Sequence, residues 1–168
     1  MQETKRLGEL LVSKGWIAAW QLEAALTQQR STKEFLGKIF VQKGWLTEDR
    51  LLEALAEQFD VVRVALASEP VDWSLASAFP GALLRGHHCL PIQKDEHALV
   101  VAVANPLDVW MVSELQRLAG REVRLVLTSE REIEAAIQRA EQHGLRSLDQ
   151  LLKRQQDAPP KNQSRGSG

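Results

Sequence analysis

The chain has 168 residues, is 44% hydrophobic, and sets 21 Lys and Arg against 22 Asp and Glu for a formal net charge of −1. That length and apolar content suffice for one medium domain or two small ones with packed cores. The balanced charge excludes the basic footprint of a nucleic-acid polymer binder, while a small anionic ligand needs only one or two local cations. Cys89 is the sole cysteine, which excludes an internal disulfide and a cysteine-based zinc cluster and fits a reducing compartment. No apolar run approaches the roughly 20 residues of a membrane span. The charged opening from Met1 to Arg6 lacks the apolar core of a signal peptide, so the expected location is the cytoplasm, without direct membrane insertion.

In chain order, the first signal is a repeat. Arg6 to Gln29 reads RLGELLVSKGWIAAWQLEAALTQQ, and Phe35 to Gln58 reads FLGKIFVQKGWLTEDRLLEALAEQ. The copies align without a gap and share 10 of 24 positions, where composition alone gives roughly one or two matches. The apolar spacing in each is helical: Leu7, Leu10 and Leu11 mark one face, and Leu22, Ala25 and Leu26 a second. Between them a glycine stands where a helix end needs a left-handed residue. Each copy is therefore expected to be a helical hairpin. Thr47, followed by Glu48 and Asp49, is a predicted N-cap; Ala18 has no capping side chain.

After Phe59 the pattern turns extended through Val61, Val62 and Val64, and then rich in turn signals through Glu69, Pro70, Asp72, Pro80 and Gly81. Beyond it the predicted elements are a strand from Cys89 to Gln93, a strand from Ala98 to Ala104, a helix from Leu107 to Leu118 ended by Gly120, a strand from Val123 to Leu127, and a helix from Ser129 to Gln142. Ser129 and Glu132 have capping-box spacing. The expected fold class is α+β: residues 1–60 a four-helix ligand-binding subdomain of two hairpin repeats, residues 61–145 a small α/β subdomain with a short sheet. Residues 146–168 are expected to form a largely disordered tail, Pro, Gly and polar residues dominating from about Gln155.

A tandem repeat can present one set of contacts twice, which suits a cyclic dinucleotide with its two purines, two phosphates and two-fold symmetry. Gly8 and Gly37, read as near helix starts, imply a close approach to the backbone, either by a phosphate or by a neighbouring helix. Leu7, Leu22 and Leu26, with Leu36, Leu51 and Leu55, are individually core-like, yet a unit of about 55 residues leaves some of them to line a shallow pocket. Gln29 and Gln58 have amides able to bond a guanine edge or to cap a helix. Arg6 offers a planar cation for phosphate or base, or is a solvated surface residue.

On these residues, the two copies and the five-residue spacer from Arg30 to Glu34, the chain resembles the MshEN domain, a bacterial cyclic di-GMP-binding module. To about residue 140 it is similar to the N-terminal domain of type II secretion and type IV pilus assembly ATPases, which carry a segment like Ala104 to Asp108. The resemblance implies ligand contacts from Arg6, Leu7, Gly8, Leu22, Leu26 and Gln29, from Leu36, Gly37, Leu51, Leu55 and Gln58, and from Asp108 across the subdomain junction, where a carboxylate would accept guanine N–H groups. Arg85 aligns with a basic position of the family and is a further phosphate candidate or a loop surface arginine. Phe35 departs from the pattern, replacing a basic residue; it either stacks on a base or buries in the core.

His87, His88 and Cys89 adjoin, but neighbours on a strand point to opposite faces, so no metal is expected there. No GxxxxGK[ST] loop is present, so this chain holds no ATPase engine of that kind, and no catalytic constellation stands out. Trp16 and Trp45 occupy equivalent repeat positions as expected wedges between the hairpins, while Trp20, Trp73 and Trp110 are candidates for a partner surface. The expectation is a non-enzymatic sensor whose ligand is cyclic di-GMP, with no cofactor. It would control an attached or separate effector of secretion, pilus or polysaccharide machinery, such as an ATPase or a glycosyltransferase. The alternative is a protein-interaction adaptor of a secretion or pilus system without nucleotide binding.

Overall fold

Two helical hairpins open the chain, because each repeat carries two apolar faces separated by a glycine that turns the backbone. The computed structural model describes residues 2–157, with side chains from Arg6 onward. The first hairpin comprises α1 (Gln2–Ser13) and α2 (Ala19–Thr32), the second α3 (Leu36–Gln42) and α4 (Glu48–Phe59). Gly15 and Gly44 adopt φ of +69° and +70° just past α1 and α3, the left-handed geometry that lets a helix end without a Cβ penalty. The Thr47 hydroxyl accepts from the Arg50 N–H at 3.3 Å and caps α4. At the equivalent start of α2, Ala18 offers no side chain, and the Gln21 side chain instead accepts the Ala18 N–H at 2.7 Å. The hairpins meet through α2 against α3 and through α1 against α3 and α4; Lys14, just past α1, pairs with Glu57 of α4 at 2.6 Å.

The second half builds α5 (Gly81–Gly86), a three-stranded sheet in the order β1 (Cys89–Lys94), β2 (Ala98–Val103), β3 (Glu122–Leu127), and helices α6 (Val109–Ala119) and α7 (Glu130–Asp157). β1 and β2 are antiparallel with a register shift between Pro91 and Gln93; β2 and β3 are parallel, joined by α6, as a parallel pair requires a crossover. α6 ends at Gly120, whose φ is +63°. The α+β class holds, as do the three strands to within a residue at each end.

The extended segment expected after Phe59 lies against the free edge of β3: the Val64 N–H donates to Leu127 at 2.9 Å and Leu127 returns a bond to Val62 at 2.8 Å. Ser129 caps α7 by accepting the Glu132 N–H at 3.2 Å. The Glu132 carboxylate does not reach back to the cap backbone; it accepts from the Thr128 hydroxyl at 2.5 Å and from the Leu66 N–H at 3.2 Å. The connecting segment is thereby tied to α7, and a single apolar core runs through both halves, from Leu7 and Phe40 to Leu90, Leu115 and Ile137.

Two expectations need correction. α7 does not end at Gln142, and residues 146–157, assigned to a tail, are helical to Asp157. Leu, Arg, Gln and Lys dominate this stretch and propagate a helix, so the cost of Gly144, about 1 kcal/mol, does not stop it. Residues 158–168 lie outside the described residues. Gly8 sits in the interior of α1 rather than near its start. Trp16 and Trp45 are half-buried and each meets the other hairpin, as expected: Arg50 of α4 lies 5.4 Å from the Trp16 ring, and Trp20 of α2 packs edge-on against Trp45 with centroids 5.4 Å apart, while Lys14 and Lys43 lie 5.1 and 5.4 Å from the rings of Trp16 and Trp45.

Candidate functional site

The two hairpins repeat one packing device. A Cβ placed on Gly37 would stand 2.5 Å from Leu51 Cδ1, and one on Gly8 would meet Leu22 closer still. In each copy the leucine at the start of the second helix thus rests on the glycine of the first. Of the two causes open for these glycines, the neighbouring helix accounts for the close approach. Leu7, Leu36 and Leu55 are fully buried and Leu51 nearly so, whereas Leu22, Leu26, Gln29 and Gln58 are half-buried and Arg6 is exposed. Gln29 donates its amide to the Glu34 carbonyl at 3.0 Å, closing the spacer back onto α2.

Between the second hairpin and the α/β half lies a cleft of about 470 Å³. One wall comes from Phe35, Lys38 and Val41 of the α3 region with Leu51 and Leu52 of α4; the other from Gly86, His87, His88, Ala104, Asn105 and Asp108. Leu51 and Asp108 are the expected site residues that this cleft brings together; the first-copy residues and Arg85 do not line it. Arg85 pairs with Glu141 of α7. Phe35 is half-buried, packs its ring over Gly37, with Cε1 2.8 Å from a Cβ there, and still lines the cleft. It therefore contributes to the core and presents an aromatic edge to the cleft together.

The charge of the lining is uneven. Lys38 shares the lining with Glu34, Glu48, Asp108 and Glu130, a set that favours hydrogen-bond donors over phosphates. Asp108 is the N-cap of α6: its Oδ1 accepts the Met111 N–H at 3.0 Å, and its Oδ2 lies 2.6 Å from His87 Nδ1. The His87 ring stacks on Trp110, centroids 4.9 Å apart and planes 29° apart. Since each carboxylate oxygen has two lone pairs, Asp108 keeps capacity for two further donors.

The histidines also differ from expectation. Strand β1 begins at Cys89, so His87 and His88 belong to the preceding turn, His88 with φ of +46°, and both line the same cleft rather than opposite faces of a strand. Among the described residues no three His, Cys, Asp or Glu side chains gather as a metal site. Cys89, the next residue, is buried, its thiol pKa pushed up to about 12 by desolvation and secondarily by the negative charge of Asp108. His87, Lys38 and Asn105 were not anticipated; only the fold carries them to the cleft, although Asn105 lies in the Ala104 to Asp108 segment already marked.

The fold has counterparts among known proteins. The MshEN domain family matches residues 59–147, the part that follows the repeat. A solved structure of MshE with cdg is 29% identical with a TM-score of 0.71, covering 80% of this chain and 97% of that one. The N-terminal domain of XpsE, 19% identical with a TM-score of 0.67, covers 82% of this chain and 94% of that one, a likeness of fold. The type IV pilus assembly ATPase PilB of Myxococcus xanthus (strain DK1622) is 30% identical over 134 residues, 80% of this chain and 24% of that protein. The chain therefore spans about a quarter of the length of that curated relative. No helix among the described residues is long and apolar enough to cross a membrane.

Proposed function

The chain belongs to the MshEN domain family, and from that membership we propose that it is a cytoplasmic regulatory module, not a catalyst, that binds cyclic di-GMP and controls an attached or separate effector of secretion, pilus or polysaccharide machinery. The observation that carries the reading is the duplicated glycine–leucine packing of the two hairpins, set in a fold shared at 29% identity with an MshE structure containing cdg. A ligand with two equivalent halves matches a surface built twice. Arg6, Leu22, Leu26 and Gln29 supply one half of the surface. Leu51, Gln58 and Phe35 supply the other, and Asp108 closes it from the α/β side.

Buried Leu7, Leu36 and Leu55 support the site from beneath, as do Gly8 and Gly37 by admitting the leucines above them. The acidic lining of the cleft supports a guanine base there, whose N–H groups would meet carboxylates, with the phosphates left to cations such as Arg6 outside it; Arg85 would join them only by leaving Glu141. Isothermal titration with cyclic di-GMP, against GTP, cyclic GMP and cyclic di-AMP, tests the reading. Selective saturation at one ligand per chain is expected, and absence of heat at high ligand concentration would overturn it.

A second reading, an adaptor that docks a machinery component without nucleotide, is favoured by one observation. The distal half of α7 exposes Leu145, Leu148, Leu151 and Leu152, a stripe that continues the buried face of Ile133, Ile137 and Ala140. Retention of a partner by a chain that shows no nucleotide affinity would support it.

A further inference from the structure

We propose that His87 is a positioning residue that, buttressed by Trp110, fixes the Asp108 carboxylate so that the cleft selects guanine over adenine; this rests on the cyclic dinucleotide reading above. An aspartate at a helix N-cap is held by one oxygen, here Oδ1 to the Met111 N–H at 3.0 Å, and its second oxygen is otherwise free to turn. His87 removes that freedom by meeting Oδ2 at 2.6 Å, donating in the tautomer with the proton on Nδ1. The imidazole is itself held in plane by the Trp110 ring, 4.9 Å away, and Trp110 remains 60% exposed, so it stabilises the turn from outside rather than filling the core.

Two ties to two oxygens set the plane of the carboxylate and leave one lone pair on each oxygen. Two parallel acceptors match the N1–H and exocyclic N–H of guanine. Adenine presents an acceptor at N1, and that atom facing a carboxylate oxygen would leave both unsatisfied in a half-buried site. The same side chain left to rotate would still attract donors but would discriminate less.

The test titrates the whole chain with cyclic di-GMP and cyclic di-AMP in the parent protein and in three variants, with thermal melting as a check of folding. His87→Phe keeps the ring and its stack on Trp110 but loses the donor. Its cyclic di-GMP affinity is expected to fall by about tenfold, the scale of one charge-assisted hydrogen bond, with cyclic di-AMP affinity unchanged. His87→Asn places an amide N–H where Nδ1 stands and should restore most of the selectivity. Trp110→Ala, at an exposed position, should reduce selectivity partially while leaving the melting temperature nearly unchanged. Parent selectivity in His87→Phe, or equal losses in His87→Phe and His87→Asn, would overturn the positioning role while the ligand reading stands. A parent chain that binds no cyclic di-GMP would overturn both, and that outcome is visible before any variant is made.

Discussion

Asp108 holds three obligations in one carboxylate: it caps α6, meets His87 and faces the cleft. Removing it to alanine therefore mixes loss of ligand with loss of a helix cap worth about 1 kcal/mol. Asp108→Asn separates the two, since an amide oxygen can still accept the Met111 N–H while the amide nitrogen is a donor that opposes guanine N–H groups. We expect cyclic di-GMP affinity to drop by about 1.5–3 kcal/mol in titration with the melting temperature little changed. Arg6→Ala, at an exposed position, should weaken binding on the same scale of about 1.5–3 kcal/mol without touching stability. At Cys89 the argument is electrostatic: burial and the Asp108 charge raise the thiol to about 12, so at pH 7 to 8 the thiol stays protonated and is a poor nucleophile. A disulfide exchange reagent should leave it unmodified in the native chain and react on unfolding; rapid native labelling would contradict that burial.

At the scale of elements, the hairpins were legible because helical periodicity and a terminating glycine recur in both copies, with an N-cap at Thr47 added in the second. What periodicity does not tell is which leucine of an apolar face is covered. Leu55 and Leu26 are equivalent positions of the two copies, yet one is fully buried and the other half-buried. Leu55→Ala is accordingly expected to cost about 2–5 kcal/mol in denaturant unfolding, the range for a buried leucine whose cavity does not collapse. Leu22→Ala should cost less than Leu55→Ala and should act chiefly on ligand affinity. The end of α7 was misplaced for the converse reason: polar and Gly content suggested a tail, while local helix propensity carries the chain on to Asp157.

For the whole molecule, the cleft lies between two halves that share one core and are laced together by Val64 with Leu127 and by Glu132 with Leu66. A ligand seated across that junction binds the folded state alone, so it should raise the unfolding free energy by mass action, by about 2.7 kcal/mol at a hundredfold excess over Kd. Thermal melting with and without cyclic di-GMP reads this directly; cyclic di-AMP at equal concentration should shift the midpoint less.

The amino-acid sequence by itself determined the duplication, the hairpins, the sheet strands and the candidate residues of each copy, because these depend on local periodicity, turn chemistry and near-neighbour identity. The meeting of Leu51 and Phe35 with Asp108, the turn that sends His87 and His88 into one cleft, and the burial of Leu7, Leu36 and Leu55 were decided only by the tertiary structure. Those relations join residues far apart in the chain, and they exist because one continuous apolar core fixes how the hairpins rest against the sheet.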